Sequence, residues 1–383
     1  MKIIQYCQHV LGIGHYFRTI EICRALEKHE VILVTGGARV DVPLPNYIRE
    51  IRLPELMMDS DFKNIFSTQA AESVDQVKEE RQKTLWNLFE KESPDLFIVE
   101  LYPFGRNAFR FELDPVLKGI HRKKLSPSRV VCSLRDILVE KKDTGAYENR
   151  VVKTLNSYFD ALLIHADPRL LKLDETFSGI GNISVPLYYT GFVSPKPQPD
   201  ARLQFRQQLG IRKDEKLLIA SAGGGNVGGP LLKAVAEAFK IMDKESQLHI
   251  FTGPFLNDET FASLKTFSSP KIRVSRFTSD FLSFLAAADL SVSMAGYNTC
   301  MNIMAAQVPA LVWPFGQNRE QQIRASRLSR LGGMRVLEDD DLNPFRLADL
   351  IIETLSQKIR PAVSIDLNGA VNTANRLESL MKQ

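Results

Sequence analysis

The sequence contains few cysteines, and their spacing excludes the common cysteine-based scaffolds. Only four occur in 383 residues, at Cys7, Cys23, Cys132 and Cys300. They form neither a C-x-x-C pair nor the ligand spacing of a zinc site. Isolated thiols of this kind are typical of proteins kept in a reducing compartment. We therefore expect a cytoplasmic protein.

Long hydrophobic runs are also absent. No segment approaches the ~20 consecutive apolar residues that a membrane-spanning helix requires. The first residues, MKIIQYC, enter strand-like sequence without the apolar core and cleavage site of a signal peptide. Any association with the inner face of the cell membrane is therefore expected to be peripheral.

Neither sign of charge dominates the chain. The 49 Lys and Arg residues stand against 45 Asp and Glu residues, and the net charge is +4. A nucleic-acid-binding domain usually has a pI above about 9 and a clustered basic face, so we expect no nucleic-acid partner. Hydrophobic residues make up 44% and charged residues 25%, which is typical of ordinary folded proteins.

Chain length and periodicity predict the fold class. A chain of 383 residues exceeds what one hydrophobic core normally supports. Short apolar strands alternate with amphipathic helices, which favours α/β domains built on parallel sheets. We predict a first domain over 1–192, a stiff proline-rich linker over 193–200, a second domain over 201–360 and a C-terminal helical segment over 361–383.

A glycine-rich turn with a histidine follows the first predicted strand, Ile3–Cys7. The turn Gly12-Ile-Gly-His15 leads into a helix predicted over Tyr16–Lys28. The two glycines alone are weak evidence for nucleotide binding, because the third glycine of the dinucleotide fingerprint is missing. An imidazole titrates near neutral pH, so His15 is a candidate general base. Alternatively, His15 only begins the helix.

Arg18 lies one turn into the same predicted helix. It either binds a phosphate group or pairs with Glu21 or a neighbouring loop, and the sequence leaves both interpretations open.

A second glycine-rich turn opens the second domain. After the predicted strand Lys216–Ser221 come Gly223, Gly224, Gly225 and Asn226, and further glycines lead to a helix near Leu231. Glycines let backbone N–H groups approach a ligand closely at a strand-to-helix turn, which suits a diphosphate. A flexible surface loop is the alternative.

A third turn lies between the predicted strands Leu290–Ser293 and Ala310–Trp313. Gly296 permits a sharp turn, and Asn298 and Thr299 are expected to cap a helix that ends near Ala306. Helix N-termini at the carboxyl edge of a parallel sheet favour phosphate groups. This turn is therefore also a diphosphate candidate.

Three separated blocks of the second half resemble a known signature. They are Gly296-Tyr-Asn-Thr, Pro309-Ala-Leu-Val-Trp-Pro and Arg319-Glu-Gln-Gln, and they resemble the donor-binding signature of GT-B glycosyltransferases related to MurG. The loop around His15 is also similar to that of the UDP-sugar hydrolases of pseudaminic acid synthesis. The resemblance implies two Rossmann-like, doubly wound parallel-sheet domains facing a central cleft. The first would bind the acceptor and the second the nucleotide sugar, with the last helix packing back on the first domain.

The resemblance also implies a set of donor-binding residues. Asn302 stands where relatives usually carry a Glu that binds ribose hydroxyls, and its amide lacks the negative charge of a carboxylate. Phe277 and Thr278 would line the nucleobase, although Phe277 equally suits a core position. The expected donor-binding residues are Gly14, Arg18, Gly223, Gly224, Gly225, Asn226, Phe277, Thr278, Gly296, Tyr297, Asn298, Thr299, Asn302, Gln321 and Gln322.

Two carboxylates are candidates for an accessory catalytic role. Glu100 lies at the end of the predicted strand Asp95–Leu101, and Asp136 follows the predicted strand Arg129–Arg135. Side chains at the carboxyl ends of parallel strands meet at one edge of the sheet. Either carboxylate is therefore placed to orient His15 or to bind an acceptor hydroxyl. The alternative is structural: Asp136 caps a turn and Glu100 pairs with a neighbouring arginine.

The resemblance predicts a nucleotide-sugar-dependent glycosyltransferase of the hexosyl type, with a UDP-sugar as the favoured donor. His15 would act as the general base in an inverting, metal-independent reaction, and no cofactor is expected. The acceptor is a glycan, a lipid-linked molecule or a small molecule. Alternatives are a nucleotide-sugar hydrolase on the same scaffold and a non-catalytic nucleotide-sugar-binding subunit.

Three other segments favour structural interpretations. The acidic run Glu338–Asp341 precedes a helix predicted from Pro344, and acidic residues stabilise helix N-termini. The segment Ala38–Phe66 is irregular and apolar, and a loop packed on its own core is favoured over a cradle for a large acceptor. A long charged helix predicted over Ser67–Lys91 is expected to present a solvated face.

Overall fold

The computed structural model describes residues 1–10, 13–40, 42–58, 64–67, 73–138, 143–225, 227–242, 245–317, 319–357 and 365–382. Two of the residues named above, Gly12 and Asn226, lie outside this part of the chain. The chain divides into two compact units. The first combines Met1–Val193 with Asp366–Gln383, and the second is Ser194–Ile365.

The first unit is built on a seven-stranded parallel sheet and a small antiparallel hairpin. Its elements in chain order are β1 (Lys2–Cys7), α1 (Gly14–Arg24), β2 (Glu30–Thr35), β3 (Ile48–Arg52), β4 (Leu56–Met58), β5 (Ile65–Ser67), α2 (Val74–Glu92), β6 (Leu96–Glu100), α3 (Arg110–His121), β7 (Arg129–Arg135), α4 (Thr144–Tyr158), β8 (Ala161–His165) and β9 (Leu187–Tyr189). The strand order in the sheet is β3-β2-β1-β6-β7-β8-β9, and β4 and β5 form the hairpin.

The second unit is built on a six-stranded parallel sheet. Its elements are α5 (Ala201–Leu209), β10 (Lys216–Ser221), α6 (Gly229–Ile241), β11 (Ser246–Phe251), α7 (Asp258–Lys265), β12 (Ile272–Ser275), α8 (Phe281–Ala287), β13 (Leu290–Met294), α9 (Tyr297–Ala306), β14 (Ala310–Trp313), α10 (Arg319–Ser329), β15 (Met334–Val336) and α11 (Pro344–Ser356). The strand order in the sheet is β12-β11-β10-β13-β14-β15.

The chain then returns to the first unit as its last helix, α12 (Gly369–Leu380). This helix packs against α1, and Leu377 and Leu380 are buried in the same core as Ile20. Two polar contacts fix the return. Asp366 donates its backbone N–H to the carboxylate of Asp167 at 3.0 Å, and the Asn372 side chain donates to the carbonyl of Thr190 at 2.9 Å.

Strands of both sheets lie where apolar runs in the sequence predicted them. Strands β1, β2 and β6 read KIIQYC, EVILVT and LFIVE, and their residues are buried almost without exception. Strands covered on both faces of a parallel sheet need continuous apolar sequence instead of alternation. Within the described residues, no helix is both long and hydrophobic enough to cross a membrane.

The structure corrects three predicted elements. Helix α1 ends at Arg24 and not at Lys28, because the following backbone closes three-residue turns, as in the Leu26 N–H to Cys23 carbonyl bond. Helix α2 begins at Val74, whereas Ser67 belongs to β5. Ser73 and Gln76 set that start as a reciprocal capping box.

The segment Ala38–Phe66 also differs from its prediction as irregular chain. It contains β3, which extends the main sheet, and β4, which pairs with β5 in the hairpin. Leu53 is 4% exposed and Leu56 is fully buried. Leu53, Leu56 and Met58 thus pack inside the first unit, as the structural interpretation of this segment expects, whereas Phe66 is 45% exposed.

One charge of α2 is not solvated. Arg81 is fully buried and donates to the carboxylate of Glu112 at 2.8 and 2.6 Å. It also donates to the Pro54 carbonyl and to the Gln8 side chain, both at 2.7 Å. The hydroxyl of Tyr6 donates to the same carboxylate. A buried ion pair of this kind keeps its charges only because every partner is present.

The Arg81 network predicts a large loss of stability when one partner is neutralised. Glu112→Gln leaves the Arg81 charge buried without a counter-charge, and we expect the free energy of unfolding to fall by about 3–5 kcal/mol. The control is Glu353→Gln, because Glu353 and its partner Arg335 are about half exposed. That change should cost less than about 1 kcal/mol. Chemical denaturation followed by circular dichroism measures both, and equal losses would contradict the prediction.

Candidate active site

The structure brings His15 and Glu100 together in the first unit. Strand β6 pairs with β1 in the sheet, so the carboxyl end of β6 lies beside the turn that follows β1. Glu100 is the last residue of β6, and His15 is the second residue of α1. The Nδ1 atom of His15 lies 2.6 Å from Oε1 of Glu100. The two residues are far apart in sequence, and only the sheet order makes them neighbours.

Two arginines share the Glu100 carboxylate with His15. Arg18 donates from Nη2 to Oε1 at 2.6 Å, and Nη2 of Arg106 lies 3.6 Å from Oε2. Glu100 is 1% exposed, and burial alone would raise the pKa of its carboxyl. The His15 imidazole and the guanidinium groups of Arg106 and Arg18 outweigh burial and lower this pKa below its ordinary value. Glu100 is therefore ionised.

The hydrogen-bond pattern assigns the His15 tautomer. Ionised Glu100 can only accept, so we assign the imidazole proton to Nδ1, which donates to Oε1. Nη2 of Arg18 lies 3.0 Å from the same Nδ1, but an N–H group cannot donate to another N–H group. Nε2 then carries the lone pair. Among the described residues it has no hydrogen-bond partner.

The surroundings also keep His15 neutral. Burial lowers the pKa of its imidazole, Glu100 raises it, and Arg106 and Arg18 lower it again, so the net shift is downward. The side chain nevertheless remains 22% exposed. A neutral, partly accessible imidazole with its lone pair on Nε2 is the state in which a histidine removes a proton from a hydroxyl.

The other predicted carboxylate, Asp136, does not hydrogen-bond to His15. Asp136 directly follows β7 and is 1% exposed. Among the described residues, the His15 imidazole hydrogen-bonds to Glu100, and the other polar group within hydrogen-bond distance of it is the Arg18 guanidinium. Of the two predicted accessory carboxylates, Glu100 is thus the one that can orient His15.

Arg18 does not pair with Glu21, as one interpretation of its position expects. Glu21 instead accepts from Arg24 at 2.6 Å. Arg18 is 3% exposed and its guanidinium lies on Glu100. Its donor-binding role stays a prediction, and in the structure it holds the carboxylate beside His15.

A second histidine, which the sequence did not indicate, lies next to this cluster. Ser133 pairs with Glu100 in the sheet register, and its hydroxyl contacts Nε2 of His165 at 2.7 Å. Nδ1 of His165 lies 2.8 Å from the hydroxyl of Thr190. His165 is fully buried, and burial lowers its pKa to about 3. No local motif marks it, because its partners come from β7 and from the residue that follows β9.

In the second unit, the glycine turn after β10 depends on backbone conformations that favour glycine. Gly223 and Gly225 have φ angles of 65° and 95°. A Cβ atom on Gly225 would lie 2.5 Å from the carbonyl oxygen of Thr252. Gly224 differs, because a Cβ atom there would meet nothing within 4 Å. The turn therefore presents open space at Gly224 and packs tightly at Gly225.

The start of α9 lies beside this turn. Gly296 is the N-cap residue, so the prediction that Asn298 and Thr299 cap the helix is wrong. Both residues lie inside the first turn, where the cap position has already been taken by a residue without a side chain. Oγ1 of Thr299 would lie 3.7 Å from a Cβ atom on Gly223 and 3.9 Å from one on Gly296. The two predicted phosphate-binding turns are thus adjacent.

The remaining predicted donor residues have mixed surroundings. Phe277 is 44% exposed, which excludes the core position, and the Thr278 hydroxyl accepts from the Asp280 N–H at 3.1 Å. The Asn302 carbonyl oxygen accepts from the Ser194 hydroxyl at 3.4 Å. Gly14 is the first residue of α1.

Two glutamines tie α10 to the chain that precedes it. Gln321 accepts from the Phe315 N–H at 3.1 Å, and Gln322 donates to the Gly316 carbonyl at 3.1 Å. Further along α10, the Arg324 guanidinium is 1% exposed and lies 5.4 Å from the centre of the Tyr297 ring. Sequence reasoning missed Arg324, since an isolated arginine on a polar helix gives no sign of burial.

The acidic run forms a short turn and does not cap α11 itself. Asp341 accepts from the Glu338 N–H at 2.9 Å and pairs with Arg346 at 2.6 Å. Asn343 is the residue that caps α11. In the described ranges, no three His, Cys, Asp or Glu side chains are grouped so that they could hold a metal ion.

Comparisons with known proteins agree with this architecture. Residues 202–378 match the model of the glycosyltransferase family 28 C-terminal domain. The solved MurG of Acinetobacter baumannii aligns over 100% of this chain and 99% of its own, with a TM-score of 0.55 and 14% identity. Spinosyn forosaminyltransferase SpnP aligns over 100% of both chains, with a TM-score of 0.59 and 14% identity. The chain has the GT-B fold, and its second half is similar to the family 28 glycosyltransferases. The resemblance drawn from the three sequence blocks is confirmed.

A curated relative shows how far the similarity in sequence extends. One such relative is the UDP-N-acetylglucosamine--N-acetylmuramyl-(pentapeptide) pyrophosphoryl-undecaprenol N-acetylglucosamine transferase of Caldanaerobacter subterraneus subsp. tengcongensis. It is 25% identical to this chain over 182 residues, which are 46% of this chain and 49% of the relative. The chain thus spans about half the length of the curated relatives it matches. The family 28 match includes the glycine turn and the α9 start of this GT-B protein, whereas His15 and Glu100 lie outside it.

The stability of the GT-B protein should fall in acid, because buried histidines are held neutral. Burial lowers the pKa of His165 to about 3 and that of His249 to about 4, whereas an unfolded chain titrates near about 6.5. Below about pH 6.5 the unfolded chain binds protons that the fold excludes. The free energy of unfolding should therefore decline as the pH falls towards about 3, by up to about 1.4 kcal/mol per pH unit for each histidine.

His165→Gln tests this dependence through urea denaturation at several pH values. The variant should lose one histidine's share of the slope between about pH 6.5 and 4. His121→Gln is the control, because His121 is exposed at the end of α3. Identical slopes for His165→Gln and the unaltered protein would contradict the assignment.

Proposed function

We propose that this protein is a glycosyltransferase that moves a hexosyl group from a nucleotide sugar to an acceptor hydroxyl, with inversion and without a metal ion. The observation that carries the proposal is the 2.6 Å contact between Nδ1 of His15 and the buried Glu100 carboxylate. It leaves the lone pair of Nε2 available to a substrate. The family 28 match of the second unit supports a nucleotide-sugar donor.

In the proposed reaction His15 is the general base. Nε2 takes the proton of the acceptor hydroxyl while the acceptor oxygen bonds to the anomeric carbon. The bond from that carbon to the diphosphate oxygen breaks, and the nucleoside diphosphate leaves with the electron pair. Glu100 stabilises the imidazolium that forms, since an ionised carboxylate favours the protonated partner.

The second unit would stabilise the leaving group. Backbone N–H groups of the glycine turn and the N-terminal end of the α9 dipole favour a diphosphate, and they stabilise the charge that develops as it departs. The adjacency of the two turns at Thr299 supports one shared diphosphate site. The exposed ring of Phe277 is proposed for the nucleobase, Asn302 for the ribose, and Gln321 and Gln322 for the sugar hydroxyls. A UDP-sugar is the proposed donor.

Incubation with UDP-, GDP-, ADP- and dTDP-sugars, analysed by mass spectrometry, tests the reaction class. The first incubation contains no acceptor, and the second contains cell extract. We expect nucleoside diphosphate only in the second, with a new glycosylated product. Free sugar without acceptor would instead indicate the hydrolase, which the similarity of the His15 loop to UDP-sugar hydrolases suggests as the second candidate. Binding without consumption would indicate a non-catalytic subunit.

Two variants test the roles of the first unit. His15→Ala should lower kcat by about 10²–10⁴-fold, the usual contribution of a general base, while the nucleotide affinity is retained. Glu100→Gln should also lower kcat, by about 10²-fold or more, because an amide no longer fixes the tautomer or stabilises the imidazolium. His121→Ala is the matched control. Turnover by His15→Ala at the rate of the unaltered protein would exclude the general-base role.

Neighbouring glycines test the diphosphate site. Gly224→Ala places a methyl group in open space, so the fold should tolerate it while the Kd for the nucleotide rises. Gly225→Ala should also lower the stability, by roughly 1–2 kcal/mol from the left-handed backbone alone. Thermal unfolding and nucleotide titration separate the two effects. Unchanged nucleotide affinity in folded Gly224→Ala would place the diphosphate elsewhere.

A further inference from the structure

Arg106 is a buried arginine whose hydrogen-bonding groups are not used. It lies in the turn between β6 and α3, and its side chain is 8% exposed. Its Nε and Nη2 atoms are buried without a hydrogen-bond partner. No other donor atom of this side chain bonds to a described residue either. The nearest counter-charge is Oε2 of Glu100, at 3.6 Å, which is beyond hydrogen-bond distance.

Arg106 shares its counter-charge with a second arginine. Glu100 contributes one negative charge, and Arg18 and Arg106 contribute two positive charges within contact of it. His15 is neutral because burial lowers its pKa. Oε1 of Glu100 already accepts from Arg18 and His15. Oε2 of Glu100 is buried without a hydrogen-bond partner, as are Nε and Nη2 of Arg106. The guanidinium therefore has a counter-charge at 3.6 Å but no acceptor for these N–H groups, and burying such donors is costly unless an anion or ordered solvent satisfies them.

The backbone holds Arg106 in an unusual conformation. Its φ and ψ angles are 58° and 19°, in the left-handed region that residues other than glycine rarely adopt. Hydrogen bonds from the Gly105 N–H to the Leu101 carbonyl and from the Phe109 N–H to the Arg106 carbonyl, both 2.8 Å, maintain the turn. Non-glycine residues in such conformations concentrate at binding and catalytic sites.

We propose that Arg106 is the anion-binding residue of the acceptor site. The acceptor carries a carboxylate or a phosphate group that the Arg106 guanidinium binds, and this contact brings the acceptor hydroxyl to Nε2 of His15. A planar guanidinium suits either group, because both can accept two parallel hydrogen bonds. The inference rests on the proposed transfer reaction and names the chemical class of its acceptor.

The acceptor, and not the donor diphosphate, is the favoured anion. Arg106 and His15 both contact the Glu100 carboxylate, and His15 is the residue proposed to deprotonate the acceptor. The proposed diphosphate ligands, the glycine turn and the α9 start, belong to the second unit.

Matched acceptor pairs test the proposal in the transfer reaction. Glucose 6-phosphate and glucuronic acid are each compared with glucose, using the donor that the mass-spectrometric incubation identifies. The phosphate and carboxylate arms distinguish the two kinds of anion. Arg106→Gln should raise the KM for the anionic acceptor by roughly 10–100-fold, the effect of losing a hydrogen bond to a charged group. The donor KM should stay unchanged. A raised donor KM with an unchanged acceptor KM would overturn the proposal.

A binding measurement tests the site without turnover. Inorganic phosphate is titrated into the full chain while the His15 imidazole signals, assigned with His15→Gln, are followed by NMR. The signals should shift saturably in the unaltered protein and in the control Arg122→Gln, whose side chain is exposed. They should not shift in Arg106→Gln. An anion bound only in the second unit would leave these signals unmoved, or would move them equally in Arg106→Gln. Either result overturns the proposal.

Arg106→Lys keeps the test decisive if Arg106→Gln fails to fold. Lysine retains the charge but loses the planar fork, so phosphate should still shift the His15 signals, with weaker affinity. Affinity equal to that of the unaltered protein would overturn the proposal. If no acceptor is glycosylated but phosphate binds through Arg106, the transfer function fails and the anion site stands. If transfer occurs without Arg106-dependent preference or binding, the anion site alone fails.

Discussion

The ionised side chain of Glu100 is the constraint on which the first unit's candidate site depends. A carboxylate that is 1% exposed must be compensated by its neighbours, or it would take up a proton. His15, Arg18 and Arg106 supply that compensation from two different segments of chain. The charge therefore fixes the orientation of the imidazole, the first turn of α1 and the turn after β6 together. Its position at the end of a central strand makes it rigid.

The two units offer different kinds of groups for ligand binding. The first unit uses side chains whose charges are buried and mutually oriented around Glu100. The second unit uses backbone, where Gly223 and Gly225 adopt left-handed conformations and Gly296 begins α9 without a side chain. Side chains suit the recognition and deprotonation of a particular group, whereas exposed backbone N–H groups suit a diphosphate of any nucleotide. The division matches the one proposed between acceptor and donor.

Sequence reasoning succeeded where the physical signal was local. Strand β7 was predicted to the residue, because RVVCSLR is an apolar run buried on both faces. Strand β3 was missed, because IREIR is a sheet-edge strand whose charged residues remove the apolar run. In the same way, His15 and Glu100 were predicted as candidates from their places in a motif and at a strand end. Arg106 was predicted as a possible ion-pair partner of Glu100, and it lies 3.6 Å from that carboxylate. His165 was not found, since its partners are distant from it in sequence.

Because α12 packs in the first unit, the unit that is synthesised first is completed last. Leu377 and Leu380 fill the core that contains Ile20, yet they are made after the whole second unit. During synthesis, part of α1 therefore stays uncovered until α12 leaves the ribosome, whereas all elements of the second unit are present as soon as residue 365 emerges. The family 28 match runs to residue 378 and so cuts across this boundary. A fragment ending there would carry a helix whose core belongs to the other unit.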